Sequence, residues 1–306
     1  MKSALASETD SMMNQKMPCS ICRHAVKVRV LDPASKLFQC ANCSHVFKNL
    51  SKSEQENYAE DYFSETHEKW FANPNRELFE FIYQKIFKLI GNSGCLRILD
   101  AGCGKGDLLK YLQSRDPELQ LYGIDLIENK HPGIHFIRGD ILTDLIDMKF
   151  QVVCSLAMIE HLDSPDAFIQ KTCDLLESGG CAFVMTIDNG SLMYWLARFL
   201  KKFGLPQAYN RLYSDHHLQY FTKKSLRSVM EMNGLKTIFH FNHNYPFNAV
   251  DVPEAGYIMT RFYLLAVRAI FFYHEFLTVE CSRQLFVEKT KPLPLTDGFH
   301  ECKYLK

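Results

Sequence analysis

ILDAGCGKGD, residues 98–107, runs from an apolar stretch into a carboxylate and then alternates three glycines with other residues. Such a bare backbone lets a chain turn sharply off a strand and approach a ligand closely. Working outward, LRILDA reads as a strand and GDLLKYLQSR as the helix that follows it. LQLYGID, IHFIR, FQVVCSLA and GGCAFVMTID continue as strands, with DSPDAFIQKTCDLLE a helix capped by Asp163 or Ser164 and carrying Pro165 in its first turn. Strands alternating with helices predict right-handed βαβ units, hence an α/β fold with a parallel sheet covered on both faces.

Upstream, RELFEFIYQKIFKLIG (residues 76–91) has helical spacing and ends on Gly91, a C-cap residue. Downstream of residue 188 come a helical stretch, a His-rich loop, the helix TKKSLRSVMEMNG with Thr222 as N-cap, and a strand KTIFHFN. A long apolar helix is expected near residues 253–277 and a last strand at QLFVEKT, residues 284–290. No internal repeat or low-complexity tract is evident.

The chain has 306 residues, 47% of them hydrophobic, enough for one large core and a small accessory unit. Lys plus Arg equals Asp plus Glu at 35 each, so net charge gives no reason to expect long-range attraction to nucleic acid. The first residues lack an apolar signal core, and no run of 18 apolar residues suggests a membrane span. With eleven cysteines in a chain of this size, reduced thiols in a cytoplasmic protein are expected, some committed to metal.

A parallel α/β sheet binds ligands beyond the carboxyl ends of its strands, so the loop after the first strand is the natural site. The dinucleotide pattern G-x-G-x-x-G fails here, because the sixth position counted from Gly102 is Asp107, and no phosphate-binding loop ending in G-K-[ST] is present. Asp100 precedes the glycines instead, where negative charge suits a cationic ligand. Asp125 ends the second strand, 25 residues after Asp100, near the spacing at which an acid accepts from ribose hydroxyls. Asp140 ends the third. The pattern fits a positively charged nucleoside without phosphate.

Together LDAGCGKG, YGID, GDI, VVCSLAMIEHL and the turn LLESGG make residues 96–187 resemble the class I S-adenosylmethionine-dependent methyltransferases. The resemblance implies a Rossmann-like seven-stranded sheet whose last strand is antiparallel. It also implies S-adenosylmethionine held by Asp100, Gly102, Cys103 and Gly104, with Asp125 and Leu126 on the ribose, Asp140 and Ile141 flanking adenine, and Leu156 closing the fourth strand. A hydroxyl acceptor needs a base of near-neutral pKa. MIEHL offers Glu160 and His161 at the mouth of the site. YSDHHLQYFT resembles a turn seen in many relatives and offers His217, with Asp215, His216 and Tyr220 beside it. Each histidine is a candidate base and each could equally hold its loop in shape. The fourth strand lacks the D/N-P-P-aromatic sequence of enzymes that methylate exocyclic amines.

Cys19-x2-Cys22 and Cys40-x2-Cys43, with 17 residues between the pairs, match a four-thiolate zinc ribbon over residues 18–48. Such a site has no open coordination position, so Zn2+ here is structural. The expected organisation is a disordered tail at 1–17, the ribbon, a linker at 49–75 and the methyltransferase domain from 76 to 306, with helical cap segments near 189–215 and 253–277. The 253–277 run carries charges at Glu254, Arg261, Arg268 and Glu275 only, which suits a core or homodimer helix or a lid against a lipid or membrane surface. Similar ribbons precede sugar and polysaccharide methyltransferases and a ribosomal-RNA group. The function expected is therefore methylation of a small-molecule acceptor, an oxygen of a sugar or lipid-linked intermediate. RNA modification, with the ribbon gripping RNA, and a non-catalytic cofactor-binding scaffold are the alternatives.

Overall fold

The computed structural model describes residues 16–23, 25–33, 35–49, 73–91, 96–213, 217–244 and 277–284. Residues 1–15 of the expected tail at 1–17, most of the linker, residues 253–276 of the expected apolar helix, Asp215 and His216 lie outside these residues, while Lys16 and Met17 of that tail belong to a strand.

Four strands make the N-terminal module: β1 (Lys16–Pro18), β2 (Ala25–Asp32), β3 (Leu37–Cys40) and β4 (Val46–Lys48). Helix α1 (Arg76–Ile90) follows. Its N-cap Asn75 accepts from the Leu78 amide, and Gly91 closes it at φ 86°. The α/β portion then runs β5 (Arg97–Ala101), α2 (Asp107–Arg115), β6 (Gln120–Asp125), β7 (Ile134–Arg138), β8 (Phe150–Leu156), a 3-10 turn (Ile159–His161), α3 (Pro165–Leu175) and β9 (Leu176–Ile187). Helices α4 (Leu192–Lys202) and α5 (Gln207–Leu212), the short strand β10 (Gln219–Tyr220), α6 (Lys223–Met232), β11 (Leu235–His243) and β12 (Leu277–Gln284) complete it.

The large sheet has seven strands in the order β11-β12-β9-β8-β5-β6-β7. Pairings within β9-β8-β5-β6-β7 are parallel, while β12 is antiparallel to both β9 and β11. This is the seven-stranded arrangement the resemblance implies, with its last strand reversed. Of the expected last strand QLFVEKT only Gln284 is among the described residues, where it ends β12 (277–284). Residue 277 begins that strand rather than ending a helix.

Alternation of side chains along the central strands divides the core in two. Ile98, Val152, Cys154, Phe183 and Met185 face α1 and α2, whose Leu78, Ile82, Leu108 and Leu112 are buried against them. Leu99, Val153, Ala182 and Val184 face α3 and α6, which bury Phe168, Ile169, Leu226 and Val229. Pro165 starts α3 after Ser164, and Thr222 caps α6 in a reciprocal box with Ser225.

The ribbon is not a separate bead on this core. Its Ile21, Val28, Phe38 and Phe47 belong to the same buried cluster as α3 and α6. Its sheet, ordered β1-β2-β3-β4-β10, takes its fifth strand from residues 219–220 of the α/β portion. Arg23 reaches across to Asp166 at 2.6 Å and to Asn233 Oδ1 at 2.6 Å, and Lys201 reaches Asp32 at 2.7 Å. A segment this short buries too little apolar surface to fold alone; here the larger core supplies the missing contacts.

Candidate functional site

Four strand ends, β5 to β8, open on one side of the sheet. At β5 the chain leaves Asp100 buried at 3% exposure and turns through the glycines. Gly102 lies at φ +71°, and a Cβ there would sit 2.5 Å from Met158 Sδ. Gly106, at φ +74°, would drive a Cβ into the Phe136 ring at 2.7 Å. Both a left-handed backbone and close approach thus require glycine at these two turns.

Asp125 locks the loop to β6. Its Oδ2 accepts from the Gly104 amide at 2.8 Å, and its Oδ1 accepts from Ile127 N at 3.1 Å. Asn129 Nδ2 donates to the Gly104 carbonyl at 2.8 Å. Leu126 is half-exposed beside it (55%). Asp140 Oδ1 accepts from Leu142 N at 2.9 Å, while Ile141 is buried. Leu156 ends β8 and Ala157 follows at φ +56°, an uncommon backbone for a residue with a Cβ.

Asp100 Oδ1 is buried with no hydrogen-bond partner among the described residues. Burial first, then the Asp125 and Asp107 carboxylates, hold its pKa well above the ordinary carboxylate value. A buried acid with an unsatisfied oxygen beside two more acids is a cradle for a cationic ligand rather than a phosphate. S-adenosylmethionine fits it: its ammonium and sulfonium groups meet both demands. Cys103 is a buried thiol whose pKa burial raises further, so it lines the loop without reactivity.

Across the opening, Glu160, His161 and His217 each bring one donor atom within 4.8 Å of the others. Glu160 is 1% exposed, and its Oε2 accepts from Thr186 Oγ1 at 2.8 Å. Burial lifts its pKa to about 7, against the lowering pull of the Thr186 hydroxyl. The His161 and His217 rings lie 4.9 Å apart, centre to centre. The structure thus brings together the three residues expected at the mouth of the site, drawn from two loops 56 residues apart. Sequence reading missed Asn129, Met158 and Thr186; the last two lie on segments already marked, Asn129 on the connection between β6 and β7, and none carries a motif of its own.

The four ribbon thiols form two close pairs, Cys19 to Cys43 at 3.6 Å and Cys22 to Cys40 at 3.7 Å. A tetrahedron of about 2.3 Å Zn–S bonds has edges of about 3.8 Å, so the spacing fits zinc. The two knuckles repeat one geometry. Arg23 N donates to Cys19 O and Ser44 N to Cys40 O, at 2.9 and 3.0 Å, with Arg23 and Ser44 at positive φ. The Cys43 thiol first, then backbone amides of Cys22 and Ile21, pull the Cys19 pKa well below the ordinary thiol value, favouring a thiolate.

Comparison with known proteins agrees with this geometry. A family model described as a methyltransferase domain matches residues 55–239. The ubiquinone biosynthesis O-methyltransferase of Leptothrix cholodnii is 29% identical over 160 residues, 44% of this chain and 65% of that protein. The mitochondrial ubiquinone biosynthesis O-methyltransferase of Dictyostelium discoideum is 27% identical over 162 residues, 45% of this chain and 49% of that one. The chain thus spans about half to two thirds of the length of these curated relatives. The structure of Burkholderia thailandensis 1,6-didemethyltoxoflavin-N1-methyltransferase, bound to S-adenosylhomocysteine, superposes with a TM-score of 0.50 at 12% identity, over 85% of this chain and 99% of that one. With the reversed strand, the glycine turn and the buried acid already in place, the chain belongs to the class I S-adenosylmethionine-dependent methyltransferase family.

Proposed function

We propose that this protein transfers the methyl group of S-adenosylmethionine to an oxygen of a small-molecule acceptor, a sugar or lipid-linked intermediate. The observation that carries the reading is the pairing of two features across one opening: Asp100, buried with an unsatisfied oxygen, and the Glu160–His161–His217 cluster. The curated relatives named O-methyltransferases point to the same target atom.

Asp100 and the glycine loop hold the methionine portion, Asp125 and Leu126 the ribose, and Asp140 and Ile141 the adenine. When bound, the cofactor supplies a methyl group already activated by the positive sulfur. What remains for the protein is positioning and removal of one proton. His161 and His217 are the partly exposed members of the cluster and receive the acceptor's hydroxyl proton. Glu160, buried within 4.8 Å of both, offsets the resulting imidazolium charge once it is ionised, above about pH 7. The Zn2+ ion is structural, held by Cys19, Cys22, Cys40 and Cys43, and the ribbon and α/β portion act as one unit.

The RNA reading draws less support. Arg23, the basic residue of the first knuckle, is engaged by Asp166 and Asn233. Among the described residues no helix is long and apolar enough to cross a membrane. Incubation with radiolabelled S-adenosylmethionine and a fractionated extract tests the reading. Label is expected in soluble sugar-containing or lipid fractions; label in RNA would overturn it, and no transfer despite tight cofactor binding would leave the scaffold reading.

A further inference from the structure

Residues 217–220 are gripped from both sides. On one side Lys48 N, at the end of the ribbon strand β4, donates to Leu218 O at 2.8 Å. On the other, Leu218 N donates to Glu160 O at 2.9 Å. The ribbon edge, strand β10 and the turn bearing Glu160 and His161 are thus stitched in sequence, with Leu218 in the middle.

Gln219 repeats this link with its side chain. It is 3% exposed and pairs with Phe47 across the β4–β10 ladder. Its Oε1 lies 2.9 Å from His45 Nε2 and accepts from Ser20 Oγ at 3.4 Å. Both partners sit beside zinc-ligand cysteines, Ser20 inside the first knuckle and His45 two residues after Cys43. Its Nε2 donates the other way, to Leu162 O at 3.0 Å, next to His161. His45 is wholly buried, with Nδ1 3.3 Å from Ser225 Oγ and its ring 4.8 Å from that of Phe221. One amide therefore joins both knuckles of the ribbon to the His161 turn, two residues from His217.

We infer that Gln219 is a positioning residue through which the zinc ribbon sets the spacing of His161 and His217, a statement resting on their proposed role as the base. The ribbon on this view is part of the acceptor side of the active site. A ribbon that merely added stability would not need a buried polar side chain aimed at the histidine turn. Leaving such an amide half-satisfied is costly, and its bonds are directional.

The experiment uses the full chain labelled with 15N-histidine. Ring signals of His161 and His217 are assigned from His161→Asn and His217→Asn. Gln219→Ala removes both links. Gln219→Glu, nearly isosteric, keeps the acceptor toward the ribbon and turns the Leu162 contact repulsive. Zinc extraction by a chelator loosens the ribbon from its far end. In all three the His161 and His217 ring signals are expected to shift, while His131 and His135 stay in place; a merely structural role would spread the change over every ring. Affinity for S-adenosylhomocysteine is expected to stay within about twofold in the Gln219→Glu variant, as for a site sharing no partners. Unmoved His161 and His217 rings in Gln219→Glu or in the zinc-depleted chain would overturn the inference. The ring signals report the positioning and the cofactor titration reports the methyl-transfer reading, so either can fail alone.

Discussion

The Gly104 amide donates to the Asp125 carboxylate across 2.8 Å, so the glycine turn and the end of β6 are one mechanical unit. Each carboxylate oxygen keeps a lone-pair direction beyond its backbone partner, which is what the ribose contact proposed for Asp125 requires. Asp125→Ala should therefore weaken S-adenosylhomocysteine binding by about 1–3 kcal/mol, through a lost ligand contact and two stranded amides. Asp125→Asn, which keeps one acceptor, should fall between. Calorimetric titration measures both, and equal affinity in all three proteins would remove Asp125 from the site.

Gly102 sits at φ +71° with Met158 Sδ 2.5 Å from where a Cβ would stand. Gly102→Ala should cost roughly 1–2 kcal/mol for the left-handed backbone alone, with the collision added. Combining it with Met158→Ala should recover the collision part and leave the backbone part. Chemical denaturation of the single and double variants separates the two. Full recovery in the double variant would mean that the turn carries no backbone strain.

Glu160 carries a pH signature. Its folded pKa is raised to about 7 from an ordinary 4.5, so the folded chain keeps a proton that the unfolded chain gives up. Stability from this group is complete below pH 4.5 and is lost as pH rises through 7, by up to about 3 kcal/mol. Glu160→Gln still offers an oxygen to Thr186 and should flatten the decline over that range. Urea melts at pH 5 and pH 8 measure it, and the same slope in variant and parent would refute the assignment.

Loss of the zinc proposed for the ribbon should be felt beyond it. Cys40→Ser should release the zinc ion and, because Phe38 and Phe47 share a buried cluster with α3 and α6, expose amides of those helices to exchange. Mass spectrometry counts the metal and hydrogen exchange maps the loosening. Protection unchanged in α3 and α6 would show the two parts to be energetically separate.

What could be read beforehand was local chemistry. The glycine turn, Asp125 and the C-x2-C pairs announce themselves because a sharp turn, an acid closing a strand beside it and four convergent thiols each demand particular residues at short spacing. Strand β12 went unmarked because the apolar run before it leads through one charged residue, Glu275, into Leu277, Val279 and Cys281, and their period-two pattern is lost against that background. Gln219 was illegible for another reason. It is an ordinary glutamine, and its partners His45 and Leu162 lie 174 and 57 residues away. Only the folded chain reveals that one amide spans them.

Strand β12 enters the sheet between β9 and β11, both of which precede it in the chain. During synthesis those two strands leave the ribosome with facing edges that cannot pair with each other correctly until residues 277–284 arrive to fill the slot. Until then they expose unpaired amides and carbonyls, the kind of edge that recruits neighbouring chains. A message truncated before that point would yield a sticky fragment in place of a smaller working enzyme.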